Sequence, residues 1–238
     1  YIITMLRDIF IDIKNNKKEW LKSKKGAEFE DRFETALKKA GFNRRNDIEI
    51  KKVLSLLKTD ILNKKSDKII DNIYALEDKS FENCFVSQPY GSQNFPDFLV
   101  FTNKKIISIE IKYSSNVASK PMWNSNLPKA NSIYIFGSYG RGDVTFFMGN
   151  DVLPMNERDE LIDFFEEIKK LEDSFKKKIK KNNKDNLFAY KFDRGFNVYV
   201  RRAYEQNKTI NENAKIDYFL HEDREKCEDN VIEFCNSL

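Results

Sequence analysis

One stretch limits the possible folds of this chain more than any other: Asn94-Phe95-Pro96-Asp97-Phe98-Leu99-Val100-Phe101-Thr102-Asn103-Lys104-Lys105-Ile106-Ile107-Ser108-Ile109-Glu110-Ile111-Lys112. Two runs rich in β-branched and aromatic residues flank a polar turn centred on Asn103-Lys104, the pattern of a β-hairpin. Residues equidistant from that turn pair, so Asp97 is expected opposite Glu110. Side chains alternate faces along a strand, which sends Phe98, Val100, Ile107, Ile109 and Ile111 to one side and Asp97, Glu110 and Lys112 to the other. The first face calls for a core. The second is expected to be given over to chemistry rather than packing.

Two carboxylates held side by side on a sheet repel by roughly 4 kcal/mol at about 4 Å with an effective dielectric near 20. A hard divalent cation removes that cost, and Mg²⁺ suits it because it takes one or two carboxylates and completes its shell with water and phosphate oxygens. A lysine alongside is placed to polarise a water or to stabilise charge developing on phosphorus. The implied chemistry is phosphodiester hydrolysis. A solvated sheet face with cross-strand charge pairing is the alternative reading of Asp97, Glu110 and Lys112.

Pro96-Asp97 followed at hairpin distance by Glu110-Ile111-Lys112 resembles the signature of the PD-(D/E)xK nuclease superfamily, which includes most type II restriction endonucleases. Glu-x-Lys alone carries no weight, since it also occurs at Glu49-Lys51, Glu77-Lys79 and Glu167-Lys169; Pro-Asp occurs once. A second part of the resemblance lies upstream, where family members place a helix of the form Gly, Phe-Glu, apolar residues, Gly-aromatic, whose Glu approaches the metal. Here the segment runs from Gly26 to Phe42, with Phe29, Phe33, Ala36, Leu37 and Ala40 at helical spacing and Gly41 as a stop signal. Glu30, at the border of that stripe, matches the family's Glu; a solvated charge is the other reading, and Glu28 and Glu34 are weaker substitutes. The resemblance implies Asp97 and Glu110 as Mg²⁺ ligands, with the Ile111 carbonyl as a further one. It gives Lys112 the nucleophilic water and Glu30 a supporting role at the metal or a bound water.

The flanking sequence sets the frame. The opening segment from Ile2 to Trp20 reads as an amphipathic helix for packing or dimerisation. Residues 47–79 read as two Lys-rich helices, with Val53, Leu56, Leu57, Ile61, Leu62, Ile69, Ile70 and Ile73 as buried candidates. Strands are expected at Cys84–Gln88, on both arms of the hairpin, at Ser132–Phe136 and at Val144–Met148, joined between the last two by the turn at Gly137–Gly142. This predicts an α/β fold, a restriction-endonuclease-like mixed β-sheet core flanked by helices, with helical N-terminal and α+β C-terminal additions. The whole of 1–238 is expected to be a single nuclease domain: an N-terminal helix in 1–25, a catalytic core in 26–150 that includes a helical insertion at 43–80, and a C-terminal helix and hairpin in 151–238. A long helix is expected from Asn156, as N-cap, to about Lys181, burying Leu161, Phe164, Phe165, Ile168, Leu171, Phe175 and Ile179. A hairpin is expected over 188–202, turning at Arg194-Gly195.

Candidate DNA contacts surround the hairpin. Ser92, Gln93 and Asn94 lie in the polar loop leading into Asp97, where hydrogen-bonding side chains suit phosphates or base edges and ordinary turn chemistry accounts for them equally. The segment 113–131 carries two prolines, which break helical readings; loops of that length in compact domains are usually functional or mobile. Lys120, Asn124 and Asn126 are its candidate contacts, with Trp123 either presenting it or anchoring it. Arg141, Arg201 and Arg202 are further phosphate candidates; Lys176–Lys181 reads better as a solvated helix end.

Composition bounds the rest. The 238 residues carry 42 Lys plus Arg against 38 Asp plus Glu, a net +4, too balanced to mark a nucleic-acid protein without a local basic surface. Cys84, Cys227 and Cys235, with His221 alone, make a poor zinc set and are expected to be reduced thiols of a cytoplasmic protein. No membrane span and no Walker phosphate loop is readable, and the start at Tyr1 leaves room for a longer N-terminus. The sequence therefore predicts a Mg²⁺-dependent type II restriction endonuclease acting on double-stranded DNA as a homodimer, with a cognate DNA methyltransferase in the same system and no membrane partner. A structure-selective resolvase or repair nuclease is the enzyme alternative. A non-catalytic DNA-binding module on a decayed nuclease fold is the alternative from another class.

Overall fold

The polar turn at Asn103-Lys104 does set the centre of the sheet. A computed structural model describes residues 5–62, 74–75, 78–123, 127–182, 204 and 216–238. Its elements are α1 (Met5–Asn15), α2 (Lys17–Trp20), α3 (Gly26–Lys39), β1 (Asn43–Arg44), α4 (Ile48–Leu62), β2 (Tyr74–Ala75), a 3-10 turn at Lys79–Phe81, and β3 (Cys84–Ser87). There follow β4 (Phe98–Phe101), β5 (Lys105–Ser114), β6 (Ile133–Ser138), β7 (Asp143–Met148), α5 (Gly149–Val152), α6 (Met155–Asn182) and α7 (Arg224–Asn236). β4 and β5 pair antiparallel with Phe98 opposite Ile109 and Phe101 opposite Ile106, the register that turn chemistry and alternation demand. The sheet runs β1-β3-β4-β5-β6-β7, with β2 attached to β5 beside that path. It is mixed: β1 with β3 and β5 with β6 are parallel, and the other pairs antiparallel.

Helices flank this sheet, giving an α/β architecture. On one face, α1, α3 and α7 bury Leu6, Phe10, Ile13, Phe33, Leu37 and Val231 against Phe98, Val100, Ile107, Ile109, Ile135 and Phe146. The Phe33 ring meets Phe98 edge-on at 5.2 Å and Phe10 at 6.3 Å. The N-terminal segment breaks into two helices near Asn16, and the Trp20 indole donates to Asp12 Oδ2 at 2.9 Å. α3 stops where expected, with Gly41 at φ 92°, a backbone that glycine adopts at no steric cost.

The opposite face corrects the expectation that it is left to chemistry. Leu99, Phe101 and Ile106 share it with Asp97 and Glu110, and they are buried in a second, aromatic-rich core with Ile50, Leu54, Phe81, Val86, Trp123, Tyr134 and Phe136. The sheet is covered on both sides, as the unbroken apolar run of β4 requires. Within α4 Ile50 and Leu54 are buried and the expected Val53 and Leu57 pack partly buried beside them, whereas Leu56, also expected inside, is exposed, because it falls on the solvent side of that stripe. The second helix expected before residue 79 lies outside the described residues, as does the hairpin of 188–202.

α6 starts at Met155, after Pro154, so Asn156 is inside the helix rather than its cap. Ile162 is its fully buried apolar residue, packed with Leu127 and Leu153. Phe164, Leu171 and Phe175, expected to be buried, are exposed. The helix is anchored near its start by Arg158, whose guanidinium donates to the Pro128 carbonyl at 2.8 Å and to Asn150 Oδ1 at 3.1 Å. No helix among the described residues is long and apolar enough to cross a membrane. Cys84 and Cys235 are buried and Cys227 half-buried, all as free thiols.

Candidate active site

The site forms where β3 ends, β4 begins and β5 passes between β4 and β6. Asp97 immediately precedes β4, one position beyond the Phe98–Ile109 pair, and therefore stands beside Glu110 as the register requires. Its Oδ2 accepts a hydrogen bond from the Ile111 backbone N–H at 2.7 Å, and its carbonyl accepts from Gln88 N–H at 2.6 Å. The second bond closes the loop of residues 88–97 at its base. In an extended strand the N–H and C=O of one residue point to the same edge, so the Ile111 carbonyl also faces the Asp97 side.

Glu110 and Lys112 follow on the same face. Lys112 Nζ donates to Glu110 Oε1 at 2.8 Å, with the two side chains 24% and 13% exposed. Glu110 Oε2 is buried and has no hydrogen-bond partner among the described residues, an arrangement that costs free energy unless something pairs with the oxygen. The Lys112 ammonium also lies over the Trp123 ring, 5.7 Å from its centroid, within the range of a cation–π attraction.

Glu30 reaches the same place from α3, although its neighbours Phe29 and Phe33 pack on the other face of the sheet. Gln88 Nε2 donates to Glu30 Oε2 at 3.3 Å. Half-burial raises the Glu30 carboxyl above the ordinary range, against the Gln88 hydrogen bond that lowers it, and the Glu110 and Asp31 charges raise it further. Asp97 is pushed up to about 7, first by burial and then by the Glu110 charge, with Glu30 adding to the rise; the Ile111 N–H and the Lys112 ammonium oppose it. Asp97 and Glu110 thus share one ammonium, with the Glu30 charge close enough to raise Asp97.

That imbalance tests the donor set against a cation. No cluster of three or more His, Cys, Asp or Glu side chains positioned to hold a metal forms among the described residues, so protein side chains alone do not complete a coordination shell. Two carboxylates and a backbone carbonyl, all oxygen donors with one buried Oε2 lacking a partner, fit a hard ion that takes the rest of its shell from water and phosphate. The residues present fit Mg²⁺.

The remaining candidates divide. Ser92, Gln93 and Asn94 sit exposed on the 88–97 loop beside the site, with Asn94 Nδ2 turned inward to the Tyr90 carbonyl at 2.8 Å. Lys120 is half-buried in the segment after β5. Arg141, in the β6–β7 turn, is engaged by Asp217 at 2.7 Å and lies over the Phe219 ring, so its charge is already partnered. Asn124, Asn126, Arg201 and Arg202 lie outside the described residues. Trp123 settles the choice between presenting and anchoring the loop: it is buried, edge-on to Tyr134 at 4.8 Å, and it draws the segment back over the sheet.

Gln88 was not singled out by sequence reasoning. Its only local signal is a position at a strand end, where it adopts φ 47°, uncommon for a residue with a side chain. No family model matches the chain, and neither a curated protein nor a solved structure does.

Proposed function

We propose that the chain is a Mg²⁺-dependent phosphodiesterase acting on DNA. Within that class, the reading the residues support best is a type II restriction endonuclease on a restriction-endonuclease-like core, cutting double-stranded DNA at a short specific, palindromic sequence. The observation that carries it is Asp97 beside Glu110 and Lys112, with a buried Glu110 Oε2 that has no partner among the described residues.

Mg²⁺ held by Asp97, Glu110 and the Ile111 carbonyl would neutralise the carboxylates and polarise the scissile phosphate. The chain's own groups do the rest. Glu110 holds the Lys112 ammonium at 2.8 Å, and the Trp123 ring limits its approach on another side. So fixed, Lys112 orients the attacking water and stabilises charge gathering on the phosphoryl oxygens. Water adds to phosphorus, one P–O ester bond breaks, and the ends left are a phosphate and a hydroxyl. Glu30, steadied by Gln88, would support the metal or its water from the helix side. Ser92 and Gln93, exposed on the 88–97 loop that leads into Asp97, would meet the duplex. A cognate methyltransferase protects host DNA in the cytoplasm in such a system.

The test is incubation with unmethylated bacteriophage DNA in Mg²⁺ or EDTA, beside Lys112→Ala. Discrete Mg²⁺-dependent bands absent from the variant support the proposal, and their ends give the site. A smear, or cutting confined to branched DNA, replaces it with a structure-selective nuclease. Intact DNA across substrates and metals, with binding retained, leaves a non-catalytic DNA-binding module.

A further inference from the structure

The positive charge of the chain is gathered in places rather than spread. Between Lys17 and Lys25 five lysines stand against Glu19 alone, a formal +4 within nine residues, equal to the net charge of the whole chain. Lys22, Lys24 and Lys25 are exposed. Lys22 and Lys25 reach Glu19 and Glu28, but those carboxylates are themselves half or more exposed, and such pairs hold little in water. Lys24 is held by a ring instead, its ammonium 5.9 Å from the Tyr139 centroid.

The place of this run in the fold gives it meaning. β3 and β5 point the same way, so the sheet end that carries the 88–97 loop also carries the last residues of β5, which continue past the Phe98–Ile109 pair with β6 as their strand partner. Glu110 and Lys112 lie on that stretch. The next residue, Tyr113, is where the lysine loop docks: its hydroxyl donates to the Ser23 carbonyl, and its ring packs on Phe29 at 5.6 Å. A Cβ on Gly26 would stand 3.3 Å from Tyr113, and one on Gly137 would stand 3.0 Å from Tyr113 and 3.2 Å from Leu21. The loop of residues 21–25 is thereby fixed on the strand that carries the site. Tyr139, under Lys24, belongs to the β6–β7 turn at the same sheet end. The site therefore lies between two edges, the 88–97 loop toward β3 and β4 and the lysine loop toward β6 and β7.

Tyr113 is about 10 Å beyond Glu110 at the usual rise of a strand. One strand of B-DNA carries a phosphate about every 3.4 Å of its axis, so a backbone with one phosphate at Glu110 brings others within reach of side chains at this edge. We propose that Lys22, Lys24 and Lys25 receive the DNA backbone beyond the phosphate being cut, as sequence-independent contacts on the side of the site opposite the 88–97 loop. The choice of a nucleic acid as the polyanion rests on the proposed function.

The test is binding of the full chain to a short duplex, followed by fluorescence anisotropy in EDTA across a series of salt concentrations. Wild type stands beside Lys24→Ala/Lys25→Ala and beside Lys38→Ala/Lys39→Ala, which removes the same charge at the far end of α3; circular dichroism checks that each variant folds. Each phosphate contact contributes about one unit to the slope of log affinity against log salt. Lys24→Ala/Lys25→Ala is expected to lower that slope by about 2 and to weaken binding roughly tenfold at about 0.1 M salt, whatever the duplex sequence. The pair at the far end is expected to match wild type. No binding by wild type overturns the inference, as do equal losses in both pairs or unchanged binding in Lys24→Ala/Lys25→Ala. Tighter lysine-dependent binding to vesicles of anionic lipid than to the duplex overturns it as well. Cutting is not read in EDTA, which keeps the two conclusions separate: lysine-dependent binding of DNA that stays intact in Mg²⁺ retains this edge and removes the nuclease, and cutting with lysine-independent binding does the reverse.

Discussion

Replacing Asp97 with asparagine removes a charge that the metal-free fold holds at a loss. The Asp97 carboxyl is pushed from an ordinary value of 3.8 to about 7 by burial and by the Glu110 charge. A rise of that size corresponds to about 4 kcal/mol between the protonation states. The sign follows from proton linkage. Between pH 4 and 7 the folded chain keeps a proton that the unfolded chain releases, so this group's contribution to stability falls as pH rises through that window and stays lost above it. Asparagine preserves the shape and still offers an oxygen to the Ile111 N–H, without the charge. Allowing half of the figure for relaxation, the variant in EDTA at pH 8.5 is expected to be more stable by about 2 kcal/mol, a rise in Tm of roughly 4–8 °C for a chain of this size. At pH 4.5 the gain shrinks to less than about 1 kcal/mol. Saturating Mg²⁺ at pH 8.5 raises the melting temperature of the wild type by mass action and leaves that of the variant nearly unchanged. Thermal melts at the two pH values, with and without Mg²⁺, make the measurement. A variant no more stable than wild type at pH 8.5 in EDTA, or a difference that does not change with pH, refutes the reasoning.

Phe33→Ala empties a position enclosed by Phe10, Trp20 and Phe98 and is expected to cost about 3–5 kcal/mol in denaturant unfolding. Arg224→Met leaves Glu228, almost wholly buried and bonded to Thr145 at 2.8 Å, with only the more distant Lys14 ammonium at 3.9 Å; a loss of about 3 kcal/mol is expected, read by the same titration. Glu30→Gln removes one of the charges raising Asp97, so the Asp97 carboxyl is expected to titrate at lower pH, as followed by carboxyl NMR. The chain has two tryptophans. In a Trp20→Phe background the fluorescence of Trp123, whose ring lies under Lys112, is expected to change when Mn²⁺ is added; in Asp97→Asn it should not.

The hairpin was legible because its information is local. Turn chemistry and alternation decide which residues pair, and Asp97, Glu110 and Lys112 came to one face for that reason alone. Glu30 was legible as part of a periodic helix, but its approach to Glu110 from the opposite layer depends on how α3 lies across the sheet end. The second core was available and misread: Phe98-Leu99-Val100-Phe101 has no alternation, which already implies cover on both faces. Gln88 gave no comparable signal, since its partners Glu30 and Asp97 are brought to it by tertiary structure. Periodicity in α6 identified an apolar stripe of which Leu161 and Phe165 do pack on the Leu127–Leu153–Ile162 cluster, whereas Phe164, Leu171 and Phe175 stay exposed, because spacing gives a face and not how far along the helix the core extends. The prolines of 113–131 marked a loop, and nothing local could place Trp123 against Tyr134.

That loop joins β5 to β6, which are parallel, a connection most proteins make with a helix. Here the crossover itself is the roof over Lys112. It is rooted at each end in a central strand, and midway it is pinned by backbone hydrogen bonds from Tyr204 N–H to the Trp123 carbonyl at 3.2 Å and from Tyr218 N–H to the Ser119 carbonyl at 2.8 Å. Because the loop belongs to the wiring of the sheet, Trp123 is held beside Lys112 by the same central strands that carry Glu110 and Lys112. On the proposed function, a DNA backbone reaching the carboxylates would meet the exposed Ser92, Gln93 and Asn94 of the 88–97 loop, while Trp123 holds the other loop against Lys112.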